Sequence, residues 1–287
     1  MNINQAFIVE VVDNFYGVLS ARKDLCKISR SEHTVEFYKK HAYQELYALR
    51  FIPAYYFEYC VLAEELYGHV KGNYTQLNIA SFGCGLSPDY YALRDNLNEV
   101  KFTYRGYDAV EWSSQKHMPK TAKNHQFTFE CVQKIKQDEL ENMDVFVFPK
   151  SIGDIRNSGD KVIETLADKI AATKKDKIFF LNSYVTRSLN KPIDLKDFGA
   201  IHSAMLMAGF KTTDDPNRTY YRHDGVTKDK PIGLRKIEYE FVYPPGKKIT
   251  CDHKDDADEI CNLCIVPKNP IFTNQYMSFQ LLEYTKK

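Results

Sequence analysis

The sequence predicts an α/β fold: a doubly wound, mostly parallel sheet with helices packed on both faces. Three observations predict it. From Leu77 onward, short apolar runs of strand-forming residues alternate with segments of helical pattern. The first run ends in a glycine-bearing turn, Gly83-Cys84-Gly85, that opens a helix. The second run ends on an acid, Asp108. Parallel strands need a crossover connection, and an intervening helix is its usual form.

Before the sheet, apolar and aromatic residues recur at helical spacing. Val35, Tyr38, Ala42, Leu46 and Leu49 mark one segment, and Tyr55, Tyr59, Leu62 and Leu66 a second. Pro53 is expected to separate the two helices, because a proline lacks the N–H that a helix interior uses. Residues 1–75 are therefore read as a helical extension and 76–287 as the α/β domain. Its strands are expected at 77–82, 101–107, 127–132, 144–148 and 177–183. Two longer strands, 235–243 and 276–284, close the chain, joined by a loop at 244–270.

The chain has 287 residues and a formal net charge of +1, so its total charge gives no general attraction to nucleic acid or to a membrane surface. No apolar run approaches the roughly 20 residues of a membrane span. The opening MNINQAFIVEVVDNF carries acids where a secretion signal needs a basic and then an apolar stretch, which predicts a soluble, cytoplasmic protein. Four of the seven cysteines, Cys26, Cys60, Cys84 and Cys131, stand singly among apolar neighbours and read as reduced, buried thiols.

In an open α/β sheet, ligands bind beyond the carboxyl ends of the strands, where the strand order reverses. Gly83 and Gly85 allow a backbone to approach a bulky ligand closely. Ser87 is the expected N-cap of the following helix, Pro88 suits its first position, and Asp89 complements its dipole. Asp108, at the end of the next strand, has the spacing of a carboxylate that accepts hydrogen bonds from a ribose diol, or of a cap for the next helix. The pair favours a nucleoside-containing ligand. Pro88 stands where a dinucleotide-binding loop carries its third glycine, which argues against a nucleotide-dependent oxidoreductase.

At these residues the sequence resembles the class I, Rossmann-like S-adenosylmethionine-dependent methyltransferases. "IASFGCGLSPD" is similar to the family's glycine-rich first motif and "YRGYDAV" to its second. "MDVFVFPKSIGDI" resembles the fourth strand with its active-site loop, "KIFFLNSY" the fifth strand, and "IHSAMLMAGFKTT" the next helix. "RKIEYEFVY" and "YMSFQLLEY" resemble the closing hairpin. The resemblance implies a seven-stranded sheet with an antiparallel last strand, and S-adenosyl-L-methionine as cofactor. It implies cofactor contacts from the backbone of Gly83, Cys84 and Gly85, from the Asp108 carboxylate, from Ala109 and Val110 against the adenine, and from Glu130, Gln133 and Pro149. Ser81 occupies the position where the family commonly has an acid.

The loop after the fourth strand is where the family places acceptor-facing groups, here Lys150, Ser151 and Asp154. Lys150 is expected to attract an anionic acceptor or to reach solvent. Asn182 and Tyr184 are further candidates. The loop is not of the Asn/Asp-Pro-Pro-aromatic type, so methylation of DNA amino groups loses support. RNA, protein and small molecules stay open as acceptors. The tyrosine-rich N-terminal helices are expected to cover the cofactor, although an aromatic row at helical spacing is by default core. His33 and His41 show no partner pattern. A catalytically degenerate module that binds nucleic acid or protein is the competing reading.

A second constellation is "CDHKDDADEICNLC". Cys251, His253, Cys261 and Cys264 form C-x-H-x7-C-x2-C, a four-ligand set of thiolates and imidazole that suits a structural, tetrahedral zinc. Iron-sulfur ligation and an incidental cluster are the alternatives. Lys247, Lys248 and Lys254 flank acidic residues there, so the loop does not by itself establish nucleic-acid binding.

Overall fold

The computed structural model describes residues 1–22, 25, 28, 35–184, 194–217, 220–223, 235–236, 247 and 277–286. Helix α1 (Gln5–Ser20) starts at Asn4, whose side chain accepts a hydrogen bond from the Phe7 amide, and it buries Phe7, Ile8, Val11, Val12, Phe15 and Leu19. That spacing keeps one stripe on the core. A short turn of helix, Val35–Tyr38, leads to helix α2 (His41–Val70), which runs 30 residues with Pro53 inside it.

Pro53 therefore does not divide two helices. An interior proline forfeits one intrahelical hydrogen bond and costs about 3 kcal/mol. Against that cost, α2 is buried continuously from Ile52 to Ala54 and again from Tyr56 to Ala63. Packing on several sides outweighs the local penalty.

The sheet comprises β1 (Gln76–Phe82), β2 (Lys101–Asp108), β3 (His125–Phe129), β4 (Val145–Pro149), β5 (Lys177–Tyr184), β6 (Phe210–Lys211), β7 (Tyr220–His223), β8 (Arg235–Lys236) and β9 (Met277–Lys286). Its order is β3-β2-β1-β4-β5-β9-β7-β8, with β6 also paired to β9. The first five strands are parallel, and β9 is antiparallel to β5 from Lys177↔Thr285 to Tyr184↔Ser278. The order reverses between β1 and β4, which together form the centre.

One expectation needs correction. β3 begins and ends earlier than 127–132, since it pairs with β2 from Tyr104↔His125 to Asp108↔Phe129. Among the described residues, the edge beyond β9 is taken by short pieces. β6 pairs with one end of β9 and β7 with the other, while Arg235–Lys236 pairs with β7 in parallel. Between β6 and β7, side chains and a proline replace a continuous ladder: Asp214 Oδ2 accepts from the Glu283 amide at 2.7 Å, and Gln280 donates to the Pro216 carbonyl. The family-like seven-strand plan is kept, with its sixth position divided among short pieces. The rest of 235–243 lies outside the described residues.

Helices α3 (Pro88–Asn96), α4 (Ile152–Asn157), α5 (Val162–Ala171) and α6 (Phe198–Met207) complete the layers. Alternation along the strands assigns the two faces. Leu77, Ile79, Val145, Val147, Phe179 and Leu181 pack with α1, α2 and α3. Ala80, Phe82, Phe146, Phe148, Ile178 and Phe180 pack with α5 and α6. Among the described residues, no helix is long and apolar enough to cross a membrane.

Candidate functional site

The glycine turn is built on three left-handed residues. Gly83 (φ +69°), Gly85 (φ +55°) and Ser87 (φ +55°) alternate with residues of ordinary conformation. Ser87 precedes α3 as expected, but its side chain makes no capping bond. Only glycine fits at 83 without displacing a neighbour, since a Cβ there would lie 2.5 Å from Ser151 Cβ. Ser151 itself donates to the Phe82 carbonyl and so locks the start of α4 against the turn.

The amides of the turn are engaged within the protein. Gly83 N and Cys84 N donate to the Tyr107 carbonyl at 2.7 and 3.3 Å. Gly85 N donates to Asp108 Oδ2, and Val110 N to Asp108 Oδ1, both at 2.8 Å. Asp108 thus clamps its own strand end to the glycine turn and keeps further acceptor capacity on each oxygen. Burial raises its pKa to about 6, against the lowering by these amides and by the Trp112 side chain.

Around the turn lies a cleft of about 890 Å³ at the carboxyl ends of β1, β2 and β4. Its size is in the range of small-molecule and cofactor sites. Gly83, Cys84, Gly85, Asp108, Ala109, Val110, Pro149, Lys150, Ser151 and Asp154 all line it. The structure brings these candidates together. Ser81 is fully buried beneath the turn and is not part of the wall. Glu130 and Gln133 are also absent from the wall; Cys131 and Val132 take that place. Asn182 Nδ2 and the Tyr184 hydroxyl both donate to Gln280 of β9 inside the sheet.

Lys150 lines the cleft and is ion-paired there. Its ammonium is 2.9 Å from Glu58 Oε1 on α2 and 3.0 Å from the Tyr184 carbonyl; Glu58 is buried and Lys150 keeps 11% exposure. Ser183 donates to the same Glu58 oxygen at 2.9 Å. Asp154 has its pKa raised by burial. Cys84 is buried, and burial followed by the charges of Asp108 and Asp89 pushes its thiol well up. It is a neutral filler against Gly106, whose own Cβ would meet its sulfur.

The sequence reads the aromatic row of α2 as core by default, within helices expected to cover the cofactor. The structure turns part of it to the cleft: Tyr47, Phe51, Tyr55 and Tyr59, spaced by four, line the wall with Tyr38 and Trp112. Trp112 stands 5.3 Å from the ring of Tyr47 and 5.7 Å from that of Tyr38. The spacing of four was legible; its direction required the position of the sheet. Tyr38 has its pKa raised to about 12 by burial and then by Asp154 and Asp108, so the phenol stays neutral near pH 7.

Asp89, expected to complement the helix dipole, lies off the cleft wall. It is 1% exposed beneath the turn, where the Tyr104 hydroxyl donates to it at 2.8 Å. Burial raises its pKa to about 6, and Ser81 is the first side chain that opposes the rise. Both residues lie buried under the turn and off the cleft wall. The Cys251, His253, Cys261 and Cys264 set lies outside the described residues.

A sheet of this order, with its cleft where the order reverses, defines the Rossmann-like class of α/β proteins. No protein-family model and no curated protein matches the chain. Among solved structures it is similar to the plantazolicin methyltransferase BpumL in complex with SAH, at 12% identity and a TM-score of 0.43, over 97% of this chain and 96% of that one. It is also similar to precorrin-6y C5,15-methyltransferase from Geobacter metallireducens GS-15, at 9% identity and a TM-score of 0.40, over 80% and 87% of the two chains. A third is a mutant 16S rRNA (adenine(1408)-N(1))-methyltransferase from Catenulisporales acidiphilia, at 9% identity and a TM-score of 0.40, over 78% and 93%.

Proposed function

We propose that the cleft binds S-adenosyl-L-methionine and that the protein transfers its methyl group to an acceptor held under the aromatic wall. One observation carries the reading. The amides of the glycine turn are engaged by Tyr107 and Asp108, and the wall around it offers carboxylates and ring faces together with Lys150, ion-paired to Glu58, Arg156, ion-paired to Glu164, and Lys196. A pyrophosphate needs amide donors at such a turn. A cationic ligand with a ribose suits what is present: Asp108 for the diol, carbonyls of the turn for an ammonium, and the rings of Tyr38, Tyr47 and Trp112 for positive charge.

When bound, the cofactor supplies an activated methyl on a sulfonium, and the chain's part is placement. Holding an acceptor atom in line is worth several kcal/mol by itself. Helix α2 roofs the cleft, and Lys150 is neutralised by Glu58, so the acceptor chamber favours a compact, uncharged acceptor over a nucleic-acid backbone. Asp154 is the candidate proton acceptor, being a carboxylate on the cleft wall whose affinity for a proton is raised.

Calorimetry with S-adenosylmethionine, S-adenosylhomocysteine and NAD tests the reading. Saturable binding is expected for the first two and not for NAD. Asp108→Asn should weaken it at least tenfold, the order expected for losing charge-assisted hydrogen bonds worth about 1.5–3 kcal/mol. Absence of binding by the first two would sink the proposal. Binding without transfer to any compact acceptor would favour a degenerate binding module.

A further inference from the structure

His41 showed no partner pattern in the sequence, yet the fold gives it two. On the first turns of α2, His41 Nε2 lies 2.9 Å from Glu45 Oε1, and His117 Nε2 comes to 3.9 Å of the same oxygen from the loop after β2. One ligand atom from each of the three residues falls within 4.8 Å of the others. Ligand atoms around a tetrahedral zinc, at about 2.0–2.1 Å from the ion, stand about 3.3 Å apart, between the two separations seen here. We propose that His41, Glu45 and His117 form a divalent-metal site of the zinc class, outside the cleft, that fastens the helical roof to the loop carrying Trp112.

Further features suit a metal. Glu45 is 3% exposed, a buried carboxylate that requires positive charge. Arg22 Nε holds its other oxygen at 2.8 Å, so Glu45 presents Oε1 alone to an ion and the net charge of the filled site stays moderate. His41 Nδ1 is 2.8 Å from Ser113 Oγ, the kind of outer contact that fixes a ligating imidazole with its other nitrogen turned to the metal. Asn14 of α1 anchors the His117 carbonyl at 2.9 Å. The two imidazoles keep 33% and 25% exposure, which leaves an ion a route from solvent and a position for water. The site would join α1, α2 and the β2 loop, the three elements that meet beside Trp112.

The test uses the full chain carrying Cys251→Ser, Cys261→Ser and Cys264→Ser, which removes the thiolate set. Cobalt(II) titration should give one saturable equivalent with ligand-field bands and no thiolate charge-transfer band, and zinc should displace it. His117→Asn, which breaks no close hydrogen bond, should lower the affinity at least tenfold, and Ser113→Ala should lower it about tenfold. His41→Gln provides a second, independent ligand removal. Lack of saturable cobalt binding, or binding that neither histidine variant alters, overturns the proposal.

Discussion

At the scale of single residues, two acids at the glycine turn, Asp89 beneath it and Asp108 on the cleft wall, make the fold sensitive to pH in an unusual direction. Asp89 and Asp108 both have pKa values raised from 3.8 to about 6 by burial. An unfolded chain releases these protons near pH 4, whereas the native protein holds them until near pH 6. Between those values the native state binds more protons, so each acid makes stability fall as pH rises across the window, and the effect is complete above it. For Asp89, which is 1% exposed, the shift of about two units corresponds to about 3 kcal/mol. Asp89→Asn keeps an acceptor for the Tyr104 hydroxyl and carries no charge. Urea midpoints from about pH 4 to pH 7 should therefore drop less steeply in Asp89→Asn than in the parent, with Asp108 supplying the remainder. Equal slopes in both proteins would show that Asp89 ionises as freely in the native state as in the unfolded chain.

At the scale of elements, the Lys150–Glu58 pair joins the end of β4 to the middle of α2. Removing one partner of a buried pair leaves the other uncompensated and typically costs 3–5 kcal/mol. Lys150→Met should destabilise by about that much in chemical denaturation, and Glu58→Gln added to it should recover most of the loss. A double variant as unstable as the single one would mean that the cost lies in packing, not in charge. This pair marks the limit of what the chain discloses one residue at a time. The strands β1, β2, β4 and β5 were legible because an apolar run flanked by turns has few other uses, and the glycine turn because two glycines flanking one residue mark a backbone that bends tightly. The unbroken α2 was not, because local propensity condemns Pro53 and only burial along the helix overrules it. The short β6 and β7 were not, because Asp214 and Gln280 perform across space what a strand pattern performs along the chain. Lys150 and Glu58, 92 residues apart by their numbers, carry no shared pattern at all. The same holds for His41 and His117.

At the scale of the whole molecule, the division at residue 75 follows chain order but not the core. One continuous apolar cluster runs from Phe7, Val11 and Phe15 of α1, through Tyr56, Tyr59 and Leu62 of α2, to Leu77, Ile79, Val145 and Phe179 of the sheet. Tyr56 ties both sides by donating to Asp95 at 2.7 Å while accepting from the Asn4 amide at 2.8 Å. A sheet face that loses α1 and α2 would expose those strand residues to water at about 25 cal/mol per Å² of apolar surface. The helices and the sheet are therefore expected to unfold together. Trp112 is the chain's one tryptophan and is 6% exposed between the α2 tyrosines and the glycine turn, so its fluorescence reports docking of the roof, while far-UV circular dichroism reports helices and strands throughout. Urea denaturation followed by the two signals should give coincident midpoints and a single transition. Saturating S-adenosylhomocysteine should move both midpoints upward together, since a ligand at 100 times its Kd adds about 2.7 kcal/mol to the native state alone. A fluorescence transition that precedes the dichroism change would mean that the roof detaches from a sheet still folded, and the shared core would then be too weak to couple them.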